Sequence, residues 1–140
     1  MNKEKELQAT EIQPLRDALL TEVFKKHDAF FAFSDKQYEE QKKPEIEYLY
    51  SKSLNMFYNI KSKGQIYKDM EEAIDKATAQ DKENNSKEAI ILRELLNYEC
   101  FYTGNPEDAI EALDSSHSYT KEEVLEVFRA NFNRIVEQYG

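Results

Sequence analysis

The sequence predicts an α+β fold that is mainly helical, a single compact domain (residues 1–140) built round a central helix with a small sheet or hairpin. Three observations predict it. Charged residues make up 34% of the chain while glycine and proline number three each, a balance that favours helices over an all-β design. Residues 85–104, NSKEAIILRELLNYECFYTG, form the densest apolar stretch and carry helix signals at both ends. Aromatic residues with strand propensity cluster between Ala29 and Ile60.

Taken in order, residues 1–11 are polar and are expected to fray or add a loose turn. From Ile12 the positions Ile12, Leu15, Leu19, Val23, Phe24 and His27 follow helical spacing, and Pro14 suits a first turn, so a helix is predicted over 14–28. AFFAF (29–33) reads as a short buried strand. Ser34 with Gln37 three residues on opens a brief helix from Asp35 to about Lys42, stopped by Pro44. Between Ile46 and Ile60, EYLY and NMFYNI flank SKSL and read as a loose hairpin, with a helix through the same residues as the rival.

After Gly64, Ile66, Met70, Ala73, Ile74 and Ala77 share one side of a helix running to about Gln80, and DKENN follows as a polar turn. The central helix then starts at Asn85 with Glu88, buries Ala89, Ile91, Leu92, Leu95, Leu96 and Phe101 or Tyr102, widens its stripe with Ile90 and Tyr98, and closes at Gly104. It is expected to pack against the first and last helices. Asn105, Pro106 and two acids start a short helix through Leu113, after which DSSHS reads as loop. Thr120 and Glu123 form a capping box, Tyr119 and Val124 a staple, and Val124, Leu125, Phe128, Phe132, Ile135, Val136 and Tyr139 one apolar face of a terminal helix.

Nothing near Met1 combines basic residues with an apolar run, no stretch reaches the roughly 20 apolar residues of a membrane span, and a lone Cys100 cannot form an internal disulfide. A cytoplasmic protein is expected. Its net charge of -9 is unevenly spread: residues 1–63 carry 11 acids and 11 bases, 64–104 carry 9 and 5, and 105–140 carry 8 and 3. Excess acid in the C-terminal half argues against direct contact there with nucleic acid or anionic lipid and leaves open a basic protein partner.

Candidate chemistry is thin. Cys100, His27 and His117 fall on separate elements without metal-ligand spacing, so Cys100 reads as a small core residue. Glu94 and Glu99, five apart, do not share a helical face and read as solvated or paired with Arg93 and nearby lysines. The aromatics Phe30, Phe31, Phe33, Tyr48, Tyr50, Phe57 and Tyr58, with lysines around them, could stack single-stranded bases but read better as core. No catalytic residue, metal site or cofactor is expected. The strongest surface feature is acidic: Asp69, Glu71, Glu72 and Asp75; Glu107, Asp108, Glu111 and Asp114; Glu122, Glu123 and Glu126. Of these, Glu107, Asp108, Glu111, Glu122, Glu123 and Glu126 are the candidate partner-binding residues, because carboxylates on rigid helices can imitate a phosphate array and occupy a basic channel. The competing reading is a small enzyme or ligand-binding protein with an aromatic-lined pocket that gathers Glu94, Glu99, Cys100 and His27.

Two segments, AFFAFSDKQYEE (29–40) and ILRELLNYECFYTGN (91–105), resemble a family of small, largely uncharacterised proteins encoded by phages and mobile elements of bacteria. The resemblance carries no catalytic residues across. It implies a non-enzymatic, anti-CRISPR-like inhibitor that acts in the bacterial host cell on a basic host protein such as an RNA-guided nuclease.

Overall fold

The computed structural model describes residues 9–139. Its fold is α+β and mainly helical, with seven α-helices and one two-stranded antiparallel hairpin among the described residues. The chain packs as two compact units. One is Ile12–Ala77, the hairpin unit; the other, the helical unit, holds Thr78 onward together with the described residues before Ile12. Among the described residues no helix is long and apolar enough to cross a membrane.

In the hairpin unit, α1 (Gln13–Lys26) carries Pro14 in its first turn, as its spacing predicts. Asp28, left-handed at φ 53°, ends that segment. AFFAF differs from expectation. Only Phe30 pairs, exchanging two 2.9 Å backbone bonds with Phe57, while Phe31 is exposed and Phe33 is 74% exposed. The left-handed Asp28 before it and the helix cap at Ser34 after it leave length for a single bridge. Ser34 Oγ accepts from Gln37 N at 3.2 Å and starts α2 (Asp35–Gln41).

Residues 46–60 resolve as the hairpin. Strands β1 (Tyr48–Ser51) and β2 (Met56–Asn59) pair with Leu49 opposite Tyr58 and Tyr50 opposite Phe57. Alternation decides the faces. Ser51, Met56 and Tyr58 are buried on one side, and on the other Tyr48, Tyr50 and Phe57 pack with Phe30 and Tyr38, whose ring lies 4.7 Å from that of Phe57. A 3-10 turn (Ile60–Ser62) and Gly64, at φ 84°, lead into α3 (Gln65–Asn84).

Helix α3 outruns its expected end at Gln80: the polar run DKEN continues it, because Asp81 finds buried partners there and Lys and Glu are good helix formers. The cap of the next helix is Ser86, whose Oγ accepts from Ala89 N at 3.1 Å, and not Asn85. Asn85 instead donates to Asp81 Oδ1 and accepts from Thr10 N. Thr10 is therefore held in place, against the expected fraying; residues 1–8 lie outside the described residues.

The predicted central helix is broken in two. Helix α4 (Lys87–Asn97) stops, Glu99 takes a left-handed conformation at φ 55°, and a single turn, α5 (Cys100–Thr103), closes at Gly104 with φ 75°. Ala89, Ile90, Ile91, Leu92, Leu95, Cys100 and Phe101 are buried as one core. Leu96, Tyr98 and Tyr102, expected on the buried side, are exposed, while Leu95 in the same turn as Leu96 is fully buried, so the core face of α4 runs through Leu95 and not Leu96.

Helix α6 (Glu107–His117) also outruns expectation, continuing through DSSH until Ser118 turns left-handed at φ 58°; the buried ring of His117 holds its final turn inside. Helix α7 (Lys121–Tyr139) opens with the predicted reciprocal cap, Glu123 N donating to Thr120 Oγ1 at 3.2 Å and Thr120 N to Glu123 Oε1 at 3.0 Å. Val124, Phe128 and Ile135 are buried, with Leu125, Phe132 and Val136 packed beside them against the α4–α6 core, while the side chain of Tyr139 lies outside the described residues. Helix α4 thus packs on the terminal helix, as expected.

Candidate functional site

Charge divides with structure. The 66 residues from Ile12 to Ala77 carry 11 basic and 12 acidic residues, net -1, and the remainder carry 8 and 16, net -8. Helices α6 and α7, which touch within the helical unit, present much of that excess. On α6, Glu107, Glu111 and Asp114 follow one another at helical spacing with Asp108 beside them, all exposed. On α7, Glu122 and Glu126 are exposed one turn apart.

Glu123 differs from the other candidates. It bonds the Lys87 ammonium and receives both the N–H and the hydroxyl of Thr120, and these contacts, Lys87 first, pull its carboxyl down to about 2. It is spent on the fold. Glu107 lies 4.0 Å from Lys121, a loose surface pair worth little. Between α4 and α7 runs a groove of about 350 Å³, lined by apolar Ile91, Val127 and Ala130 and by Lys87, Glu88, Glu123 and Glu126. An apolar base with carboxylates beside it suits the stem and charged head of an arginine or lysine. Of the patch at Asp69, Glu71, Glu72 and Asp75, Asp69 is buried and the other three are exposed.

The helical unit also contains a buried charge network. Asp81 accepts two bonds from Arg93, at 2.8 and 2.9 Å, one from His117 Nε2 at 2.8 Å and one from Asn85 at 3.0 Å. No side chain of Arg93, Asp81 or His117 is more than 4% exposed. Arginine at the centre of the apolar run ILRELL is the sequence signal for such a pair, since a guanidinium buried on that face needs a carboxylate. Burial alone would raise the Asp81 carboxyl, but hydrogen bonds from Arg93 and His117 outweigh it and hold the group low. For His117, burial dominates and depresses the imidazole, so it sits neutral with Nε2–H donated to Asp81 and Nδ1 facing Ser116 Oγ at 2.6 Å.

Of Glu94, Glu99, Cys100 and His27, the first three lie in the helical unit and His27 in the hairpin unit. Glu94 pairs with Arg93 and Asn97, Glu99 is the exposed left-handed residue, and Cys100 is fully buried, with burial pushing its thiol up. His27 lies in the hairpin unit beside Asp69. A groove of about 460 Å³ there is lined by Ala32, Phe33, Ser34, Asp35, Tyr38, Tyr50 and Phe57, without any of those four. Among the described residues no cluster of three His, Cys, Asp or Glu side chains is placed to hold a metal ion.

The chain matches no curated protein and no solved structure. A family of unknown function, DUF7659, matches residues 17–134, a span that runs from α1 through the hairpin to most of α7. The match covers 118 of the 140 residues and takes in most of both units, so the chain belongs to the DUF7659 family.

Proposed function

We propose that this protein acts by binding, with the acidic helices of its helical unit docking on a basic protein surface of the kind that otherwise holds nucleic acid. The observation that carries the reading is the display of Glu107, Asp108, Glu111, Glu122 and Glu126, exposed on two packed helices, in the unit that holds -8 of the net charge of -9. Helices fix the spacing of carboxylates before binding, so little order is lost on docking. The groove beside Glu126 offers a seat for one cationic side chain of the partner.

The resemblance of residues 29–40 and 91–105 to phage and mobile-element proteins supports a host defence nuclease, RNA-guided ones included, as that partner. On this reading the protein is an anti-CRISPR-like inhibitor without a catalytic role in its acidic unit, where Cys100 is sealed and His117 is committed to Asp81.

The test uses the purified protein as bait in lysate of a bacterium that carries defence systems. A retained basic protein should be displaced by its own nucleic acid and released as salt rises. Lysine at Glu107, Asp108, Glu111, Glu122 and Glu126 together, with Glu123 kept for the fold, should weaken binding at least about tenfold and flatten its salt dependence. Equal binding by that variant, or a partner that still holds nucleic acid normally, would remove the acidic face from the mechanism.

A further inference from the structure

A different chemistry lies in the hairpin unit, independent of the acidic face. His27 follows the last turn of α1, Ser62 ends the 3-10 turn after β2, and Asp69 is one turn into α3. Backbone contacts bring them together. Asn59 N donates to His27 O at 3.0 Å, tying the end of α1 to β2, and Gly64 turns the chain from Ser62 into α3.

His27 Nε2 lies 2.6 Å from Asp69 Oδ2, and Nδ1 lies 2.7 Å from Ser62 Oγ. A carboxylate only accepts, so Nε2 carries the proton. In the neutral ring Nδ1 then offers its lone pair to the Ser62 hydroxyl, which donates. The imidazole is 5% exposed and Asp69 10%, while Ser62 remains partly open to solvent. Gln65 Nε2 donates to Asp69 Oδ1 at 2.8 Å and Lys26 Nζ to Oδ2 at 2.9 Å, which fix the carboxylate.

We propose that Ser62 is a nucleophile that accepts acyl groups from anionic esters, with His27 as its general base and Asp69 as the residue that positions the imidazole. As Ser62 Oγ bonds to the ester carbonyl carbon, its proton passes to His27 Nδ1. Collapse of the tetrahedral adduct breaks the bond to the leaving oxygen, which departs as the alcohol with that same proton and leaves Ser62 acylated. Asp69 stabilises the imidazolium formed between the two transfers.

Three features suit the surroundings to this step. Helix α3, 20 residues long, begins three residues after Ser62, and its first N–H groups have no acceptor within the helix, so donors for a developing oxyanion follow the nucleophile in the chain. A side-chain carbon added at Gly64, two residues on, would meet nothing within 4 Å, so the turn after Ser62 borders open space. Lys61 and Lys63 flank Ser62, both exposed, in a run from Tyr48 to Lys68 that holds four lysines and no acid, whereas the chain as a whole has 28 acidic residues. That local excess selects a negatively charged ester. In the comparable chain Ser116, His117 and Asp81, a buried Arg93 holds Asp81 through two bonds, whereas the cation on Asp69, Lys26, makes one bond and is 65% exposed, so its charge is screened by solvent.

The experiment treats the folded protein with a fluorophosphonate, which phosphonylates an activated serine with loss of fluoride, and locates the adduct by peptide mass spectrometry. The adduct should form on Ser62, vanish in Ser62→Ala, persist in Ser53→Ala and slow at least about 100-fold in His27→Gln. Asp69→Asn should fall between wild type and His27→Gln. Because His27→Gln could lose its fold, wild type unfolded in urea is labelled in parallel, and Ser62 should react only in the folded chain. An aryl ester bearing a carboxylate should acylate Ser62 faster than its neutral analogue. No adduct, labelling spread over other serines, or equal rates in folded His27→Gln and wild type would overturn the nucleophile; no preference for the charged ester would overturn the assigned class.

Discussion

Replacing Arg93 by Met removes two hydrogen bonds to Asp81, a third to Thr10 O at 2.9 Å and a fourth to Glu94 Oε1 at 3.1 Å, and leaves a carboxylate only 2% exposed with His117 and Asn85 as partners. Breaking a buried pair from one side costs about 3–5 kcal/mol, against roughly 5–15 kcal/mol for the whole stability of such a domain. A fall in Tm of roughly 10 °C or more is expected, measured by circular dichroism with urea unfolding in parallel. The loss should shrink on mild acidification. Without the neighbouring guanidinium, which now disfavours the imidazolium, Asp81 draws His117 into its charged form and recovers a counter-ion. The double variant Arg93→Met with Asp81→Leu should regain most of the loss, because two apolar side chains replace two charges. A cost below about 1 kcal/mol, the scale of an exposed pair, or a double variant no better than the single one would refute the assignment.

Acid should act through His117 first. Burial holds its folded pKa below the unfolded value of about 6.5, so the unfolded chain binds the extra proton between the two, and stability falls with pH from about 6.5 downward by at most roughly 1.4 kcal/mol per pH unit. Unfolding curves over pH 4–7 should lose that slope in His117→Gln. Asp81 and Glu123 have lowered pKa values, so their contributions are present above about 4 and are lost as pH falls below it; Lys87→Met should reduce that loss for Glu123. Glu99→Gly should stabilise the protein by roughly 1 kcal/mol in urea unfolding, since φ 55° is strained for Glu and free for Gly; destabilisation would mean that the Glu99 side chain has a role. Thr120→Ala should cost about 1 kcal/mol through loss of the α7 cap.

What the sequence made legible was what apolar spacing and capping chemistry encode. Ser34 before α2, the Thr120–Glu123 box before α7 and the buried stripe Val124, Phe128 and Ile135 all follow from residues within a few positions of one another. The misses share a cause: polar residues whose partners lie far along the chain. DKENN and DSSHS look like loops because their polarity is read as exposure, yet Asp81 and His117 meet across 36 positions in the interior and carry both helices past the predicted ends. Glu99 shows the converse. Its left-handed conformation splits the central helix at a residue whose type favours helix, so tertiary packing of Cys100 and Phe101 overrides the local preference. The acidic face was legible because exposed like charges need no partner to be recognised. His27, Ser62 and Asp69 were not, since they meet only when α1, the turn after β2 and α3 fold together, and no fixed spacing announces them. Exposed charge can be read from composition; side chains that meet across distant elements need the fold that joins them.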